Sequence, residues 1–404
     1  RLTLPYIDTN PLRGRADDLA RLRGSLGTHV VQVTGTGGTG KSRLAAEVAL
    51  DHPTGAIWHR CKTISTADDL LVALAEHVGM KADTPRPQLL AAFARRPALV
   101  VVDNAEDVTT GERRRDYAEL LYGLVEAGAP ILLTARVAWG ELKPRREIVP
   151  TALDAANAAQ IARDFASAEQ IALTDDAAHE LAAAARLYPR LIEWAVAQIP
   201  VQAGGRAAVL RMLRELKRYD VQEALDEMIT RTLDQMEAQA HDGAAARLLL
   251  ARLCIMPGSF DRAAALALRG KGADEDALDD ALTTLRSWRF LRDVGEERWR
   301  VEEVVRMAVR HDEDAFLPFV DHYTEVAAQF DTRPPEEWAA TVERDAENIT
   351  AVGDLLVERL AAAPIADLQQ RAVAFASNTR RYLSNRREVR RGAWLEMGLA
   401  AAQA

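Results

Sequence analysis

The stretch Gly35-Thr36-Gly37-Gly38-Thr39-Gly40-Lys41-Ser42 constrains this chain more than any other. It is a complete G-x-x-x-x-G-K-S/T phosphate loop. A short β-branched run, Val30–Val33, precedes it, and Ser42–Ala49 follows with apolar residues near the helical period. Strand, loop and helix therefore stand in the order such a loop requires. Glycines let the backbone wrap closely around phosphate oxygens, and the helix N-terminus adds positive potential. The motif predicts that Thr36, Gly37, Gly38, Thr39 and Gly40 cradle phosphates, that Lys41 reaches the β- and γ-phosphates, and that Ser42 ligates Mg2+. Arg43, next in the same helix, is counted with the nucleotide-binding set.

A second signal follows downstream. The apolar run Ala98–Val102 leads straight into Asp103, the pattern of a central parallel strand with an acid at its carboxyl end. Ligands in such sheets bind beyond the carboxyl ends of the strands. Asp103 is thus predicted near the phosphate loop, holding Mg2+ through water, as in a Walker B strand. Ile131–Arg136 reads as a further strand ending in Thr134 and Arg136. Arg136 is expected beside Asp103, where a cation can sense a γ-phosphate.

The remaining elements follow from pattern. Ala56–Cys61 is a strand, and Ala67–Val78 is an amphipathic helix closed by Gly79. Pro85 and Pro87 mark a loop before a helix at Gln88–Arg95. Tyr117–Ala127 is helical, and Glu147–Val149 is a short fifth strand. From Asp154 only helices are expected: 155–165, 175–186 and 189–201, with Pro189 suited to a first helical turn. Gly204-Gly205 reads as a joint. Helices at 210–216, 221–236, 243–254, 261–269 and 275–288 precede two short strands, Phe290–Val294 and Trp299–Val301. Three helices and a hairpin predict a winged helix. Between Ala244 and Asp312 stand 12 basic and 12 acidic side chains, a balance that favours a structural or regulatory module over a DNA reader. Beyond Phe316 all is helical: 338–360, with Val342, Ala346, Ile349, Val352 and Leu356 on one side, then an antiparallel pair at 367–383 and 388–402.

Composition limits the alternatives. The chain has 404 residues, 48% of them hydrophobic, and a formal net charge of −9, so it has several domains and is no general nucleic-acid binder. No apolar run is long enough to span a membrane, and Arg1–Asn10 lacks a signal-peptide core. Cys61 and Cys254, far apart in apolar segments, read as buried free thiols. These features predict a cytoplasmic protein. The Ala-rich, Arg-over-Lys composition suggests a GC-rich bacterial source. The chain opens without Met and closes inside a helical pattern, as a piece of a longer protein does.

The order of phosphate loop, acidic strand, Thr-x-Arg strand, helical bundle, winged helix and helical array resembles the STAND signalling ATPases. More narrowly it is similar to their NB-ARC branch in bacterial regulators, relatives of plant resistance proteins and apoptosome scaffolds. The resemblance covers nearly the whole chain. Leu12–Leu19 is similar to the family's hydrophobic-x-Gly-Arg-Glu segment, which implies that Leu12, Gly14 and Arg15 bind adenine and ribose. Ile131–Arg136 resembles the sensor strand. Tyr188–Ile192 resembles the Gly-Leu-Pro-Leu-Ala motif, whose proline, here Pro189, packs on adenine. Met256–Phe260 is similar to the winged-helix signature. Three departures stand out. Asn104 replaces a second acid, with Glu106 two residues on as the candidate base that orients water. Leu187-Tyr188 replaces Gly-Leu. Glu302 takes the place of the His of the Met-His-Asp motif, which contacts the ADP β-phosphate, and is expected instead to pair with an arginine such as Arg300 or Arg306, the alternative being that the winged helix sits clear of the nucleotide.

The resulting expectation is a multidomain α/β plus all-α chain: a P-loop sheet domain (1–152), a small helical bundle (153–203), a winged helix (204–313) and the start of a tetratricopeptide-like array (314–404). The implied cofactors are ATP or ADP and Mg2+. Lys41, Asp103, Glu106 and Arg136 form the catalytic set, and Ser42 and Asp103 the metal ligands. The nucleotide-binding set is Leu12, Gly14, Arg15, Thr36, Gly37, Gly38, Thr39, Gly40, Lys41, Ser42, Arg43, Pro189 and Glu302. The implied function is a slow ATPase serving as a switch, held off with ADP and assembling into a homo-oligomer on ATP exchange. An inducer on the C-terminal repeats, an effector domain outside this sequence, no membrane, and DNA only through such an effector complete the expected partners. An ordinary turnover ATPase and a winged-helix DNA-binding regulator are the alternatives.

Overall fold

The computed structural model describes residues 11–404 except 28, 62–64, 82–83, 109–110, 144, 270–273, 330–334, 364, 381–390 and 404. It divides into two compact units, residues 1–222 and 223–404.

In the first unit five parallel strands, β1 (Val30–Thr34), β2 (Ala56–Arg60), β3 (Leu99–Asp103), β4 (Ile131–Ala135) and β5 (Arg145–Ile148), lie in the order β2-β3-β4-β1-β5. The strands are apolar on both faces because both faces are covered. Val100, Val102, Ile131 and Leu133 meet α3 (Ala67–Val78), α4 (Arg86–Phe93) and α5 (Gly111–Glu126). Val31, Val33, Val101 and Leu132 meet α1 (Ala16–Arg23) and α2 (Lys41–Leu50). The one amide among them, Gln32, is buried but satisfied: its Oε1 accepts from the Trp139 N–H at 2.8 Å, and its Nε2 donates to the Trp139 carbonyl at 3.3 Å. Pro87 falls inside the first turn of α4 rather than in a loop, a position where the missing N–H costs nothing. Helix α5 starts earlier than its apolar spacing suggests, because its first turns carry charged residues and face solvent.

Helices α6 (Ala155–Ala168), α7 (Asp175–Ala184), α8 (Pro189–Gln198) and α9 (Gly205–Glu215) pack together beyond the sheet. Asp154 and Thr174 cap α6 and α7 through their side chains. The expected boundary at 204 lies ahead of α9, yet α9 packs on α7 and α8, and Arg206 and Arg214 both pair with Glu180 of α7.

The next helix, α10 (Val221–Gln239), straddles the division between the units. In the second unit α11 (Gly243–Leu253), α12 (Arg262–Arg269) and α13 (Glu275–Ser287) precede an antiparallel hairpin, β6 (Leu291–Gly295) and β7 (Arg298–Val301). Phe260 pairs with Trp299 as a further short rung. Then follow α14 (Glu303–Ala308), α15 (Phe316–Ala328), α16 (Pro335–Ala362), α17 (Ala366–Asn378) and α18 (Arg391–Gln403). Ala346, Ile349, Val352 and Leu356 are buried along α16 as expected. Gly353 of α16 leaves no room for a Cβ beside the buried Trp394 of α18. The expected helix ends at Leu383 and Glu388 lie outside the described residues.

A polar cluster ties β7 and the Met256–Phe260 turn to α16. Arg298 donates to Asp345 Oδ1 at 2.6 Å and to the Ser259 carbonyl at 2.8 Å. Asn348 accepts from Gly258 N–H at 2.8 Å and donates to Ser259 and to the Tyr323 hydroxyl.

Among the described residues no helix is long and apolar enough to cross a membrane. Cys61 and Cys254 are free and buried, and burial pushes both thiols up.

Candidate functional site: the carboxyl edge of the sheet

β1 ends at Thr34, and the phosphate loop turns directly into α2. Gly40 adopts φ +90 at the helix N-cap, and Gly38 φ +74, backbone states that residues with a Cβ resist. Lys41, buried at the start of α2, donates from Nζ to the carbonyls of Gly35 at 2.9 Å and Thr36 at 3.0 Å. Burial lowers its pKa, while Glu106 and Asp103 act in the opposite sense. The ammonium is thus held at the loop by groups that a phosphate can replace.

β4 lies between β1 and β3 in the sheet, so Asp103 reaches the loop across it. Asp103 is fully buried, and its Oδ1 accepts from Ser42 Oγ and from Thr134 Oγ1, each at 2.6 Å. Thr134 in turn accepts from the Asn104 N–H at 3.0 Å. Oδ2 of Asp103 is buried and has no hydrogen-bond partner. Burial raises the Asp103 pKa, and the Ser42 and Thr134 hydrogen bonds oppose that rise. Asn104 is left-handed, φ +57, a conformation Asn tolerates well.

Just beyond, Glu106 Oε1 is 3.5 Å from Arg136 Nε, and Glu106 Oε2 is buried without a hydrogen-bond partner. Asp107 is raised to about 6, first by burial and then by Glu106, with Arg60 and Arg136 opposing. Thr134, Arg60 and Asp107 were not assigned from sequence. Thr134 and Arg60 share one signal, a polar side chain at the end of an apolar strand.

The adenine-side expectations fall differently. Arg15 is buried and clasps structure: it donates to Asp18 at 3.1 Å, to the Thr151 carbonyl, and to the Thr39 carbonyl of the loop at 3.0 Å. Gly14, φ +64, lies against α6, where a Cβ would come within 2.9 Å of Asn157 and Leu153. Leu12 packs on the α1–α2 side of the sheet core. Arg43 turns along α2 to Glu47 at 2.6 Å.

Pro189 is the first residue of α8, and the turn before it sets Arg186 and Leu187 at φ +60 and +61. Leu187 thus takes a left-handed backbone state that glycine more commonly occupies. This turn delivers Tyr188 and Arg190 onto the loop. A Cβ on Gly38 would come within 2.8 Å of Arg190 Cγ and 3.0 Å of the Tyr188 hydroxyl, and one on Gly37 within 2.8 Å of Gln222 Oε1. Tyr188, Arg190 and Gln222 also escaped the sequence reading.

Glu302, in the second unit, stands at the N-cap of α14, 3.8 Å from Arg292 across the hairpin. The partner expected from sequence was Arg300 or Arg306. Arg300 instead pairs with Glu347 at 2.6 Å, because cross-strand pairing sets Arg300 opposite Arg292 and the two guanidiniums take different acids.

Among the described residues no group of three or more His, Cys, Asp or Glu could hold a metal ion. A hydroxyl beside a carboxylate with one unused buried oxygen fits Mg2+, which takes one or two protein oxygens and completes its shell with water and phosphate.

No family model and no curated protein matches the sequence. Among solved structures the chain is similar to a Signal Transduction ATPase with Numerous Domains (STAND) protein with a tetratricopeptide repeat sensor from Pyrococcus horikoshii. The TM-score is 0.50 at 14% identity, over 99% of this chain and 59% of that one. The chain therefore spans 59% of that protein's length. It also aligns with a Walker-type ATPase of Pyrococcus abyssi (TM-score 0.40, 14% identity, 75% of this chain and 99% of that one). A Thermotoga maritima RuvB aligns too (TM-score 0.37, 16% identity, 74% and 96%). At these identities the likeness is one of fold alone: a five-stranded parallel sheet with a phosphate loop, followed by helices.

Proposed function

We propose that this chain, whose fold is that of the STAND ATPases, binds ATP and ADP with Mg2+ at the phosphate loop and uses slow hydrolysis as a switch. The observation that carries the reading is Asp103: a fully buried carboxylate joined to Ser42 and Thr134, with one oxygen left over at the loop. In this reading Lys41 turns from the Gly35 and Thr36 carbonyls to the terminal phosphates. Ser42 and Asp103 would hold the metal, which would supply positive charge against the nucleotide phosphates. Glu106 orients the attacking water through its unused Oε2, and Arg136 holds Glu106 in place while facing the γ-phosphate. Thr134 keeps Asp103 aimed, since its hydroxyl is itself oriented by the Asn104 N–H. Exchange of ADP for ATP changes the charge at this edge, and assembly with further copies is the proposed output.

Lys41→Ala removes a charge from the phosphates and should weaken ATP and ADP by about a hundredfold, or ~3 kcal/mol. Unchanged dissociation constants in calorimetry would sink the site assignment. Steady-state hydrolysis separates the switch from an ordinary turnover ATPase, since a rate on the order of 1 s⁻¹ or faster belongs to the latter.

A further inference from the structure

One buried hydroxyl beside the phosphate loop makes no hydrogen bond. Tyr188, at the N-cap of α8, is 8% exposed, and its phenol oxygen is buried without a hydrogen-bond partner. That oxygen lies against the loop, 3.0 Å from where a Cβ on Gly38 would stand. Burial raises the phenol, with Thr36 of the loop the first group to oppose, so the oxygen keeps its proton and remains a donor. A buried O–H without an acceptor is costly. A phenylalanine ring would fill the same space, so packing alone does not call for the oxygen. Lys41 supplies the other half of the argument. Its Nζ donates to the Thr36 carbonyl at 3.0 Å and to the Gly35 carbonyl at 2.9 Å, and Thr39 Oγ1 adds a bond to Thr36 at 3.0 Å. A nucleotide that draws the ammonium to its phosphates takes from Thr36 its charged donor.

Resting on the nucleotide reading above, we propose that Tyr188 is a positioning residue of the loaded phosphate loop: its hydroxyl donates to the Thr36 carbonyl that Lys41 gives up. In the empty loop Lys41 holds the carbonyl and the phenol is idle. In the loaded loop Lys41 holds phosphate and the phenol holds the carbonyl. One exchange thus satisfies both groups. The donor is fixed, because α8 is seated by the buried Leu191, Ile192, Ala195 and Val196, so it is the loop that settles onto it. The phenol oxygen is out of reach of solvent, and it acts on the loop rather than on the nucleotide. Di- and triphosphate benefit alike, since the β-phosphate that attracts Lys41 is common to both. The hydroxyl therefore has opposite effects in the two states: a burden on the empty chain and a support to the loaded one.

The test is Tyr188→Phe in the full chain, read by denaturant unfolding without nucleotide and by calorimetry with Mg2+ and either ADP or a non-hydrolysable ATP analogue. The empty variant should be at least as stable as the parent, while both nucleotides weaken equally, by about fivefold, the net worth of one hydrogen bond. A merely structural hydroxyl would not give that combination. An empty variant less stable than the parent would show that the hydroxyl is already in use there, and overturns the proposal. So do unchanged dissociation constants, or a loss confined to the ATP analogue. Lys41→Ala in parallel separates the two levels. Loss of both nucleotides there with an indifferent Tyr188→Phe leaves the site reading standing without this residue, whereas retained binding brings down the site reading itself.

Discussion

Asp103 at the sheet edge and Asp345 in α16 are both buried carboxylates, and burial raises both. Their surroundings differ. Asp345 faces the guanidinium of Arg298, itself buried and further tied to Ser259. Asp103 accepts hydrogen bonds from hydroxyls on one oxygen, its other oxygen has no hydrogen-bond partner, and Arg60 and Lys41 act on it electrostatically. A buried charge with its counter-ion built in belongs to architecture. A buried carboxylate held by hydroxyls with one oxygen unused is the kind of perturbed acid that clusters at functional sites. Asp345 thus reads as part of the joint between β7 and α16, and Asp103 as part of a site. Each prediction below tests that contrast.

The largest effect should come from the joint. Arg298→Met leaves Asp345 buried without its partner and should cost about 3–5 kcal/mol of stability, while Arg298→Met with Asp345→Leu should recover most of it. Denaturant unfolding followed at the second unit checks this. A single variant no less stable than the parent would mean that the pair is not architectural.

The site should respond in the opposite direction. Asp103→Asn keeps an acceptor for Ser42 and Thr134 but removes the buried charge. Without nucleotide the variant should be more stable by roughly 1 kcal/mol, the usual trade between stability and function. It should at the same time lose the Mg2+-dependent part of ATP binding, leaving metal-free ADP binding nearly intact. A variant that is destabilised and still binds Mg·ATP normally would place Asp103 with Asp345 as a structural acid.

What could be read beforehand follows the same division. The phosphate loop was legible because strand, loop and helix are contiguous, and Asp103 because an apolar run delivers it to a strand end. The pairings were not. That Thr134 bridges Asp103 depends on β4 lying between β1 and β3, which no local pattern states. Arg190 and Gln222 reach the loop from far along the chain. Arg15 was assigned to nucleotide from its motif, yet its guanidinium is engaged with Asp18, Thr39 and Thr151. Glu302 found Arg292 because hairpin register, rather than sequence proximity, chose among the arginines.

Asp107 sits between the two extremes and sharpens the comparison. It is partly buried, next to Glu106, with Arg60 and Arg136 supplying incomplete compensation, and its pKa is raised from 3.8 to about 6. A carboxyl raised on folding holds its proton more tightly in the folded chain than in the unfolded one. Its favourable contribution is therefore full below about pH 4 and is lost as pH rises towards 6, after which the dependence flattens. Asp107→Asn removes that loss. Above pH 6 the variant should be more stable than the parent by about 1 kcal/mol, the full linkage value being reduced because the group is still partly solvated. Below pH 4 the two should agree. The difference between the two stability curves isolates Asp107 from Asp103, whose raised pKa contributes in the same sense to both. Parallel curves from pH 4 to 7 would mean that Arg60 and Arg136 compensate Asp107 fully. Asp107 would then belong with Asp345 among the neutralised acids, and Asp103 would be left as the charge at this edge that still calls for a cation.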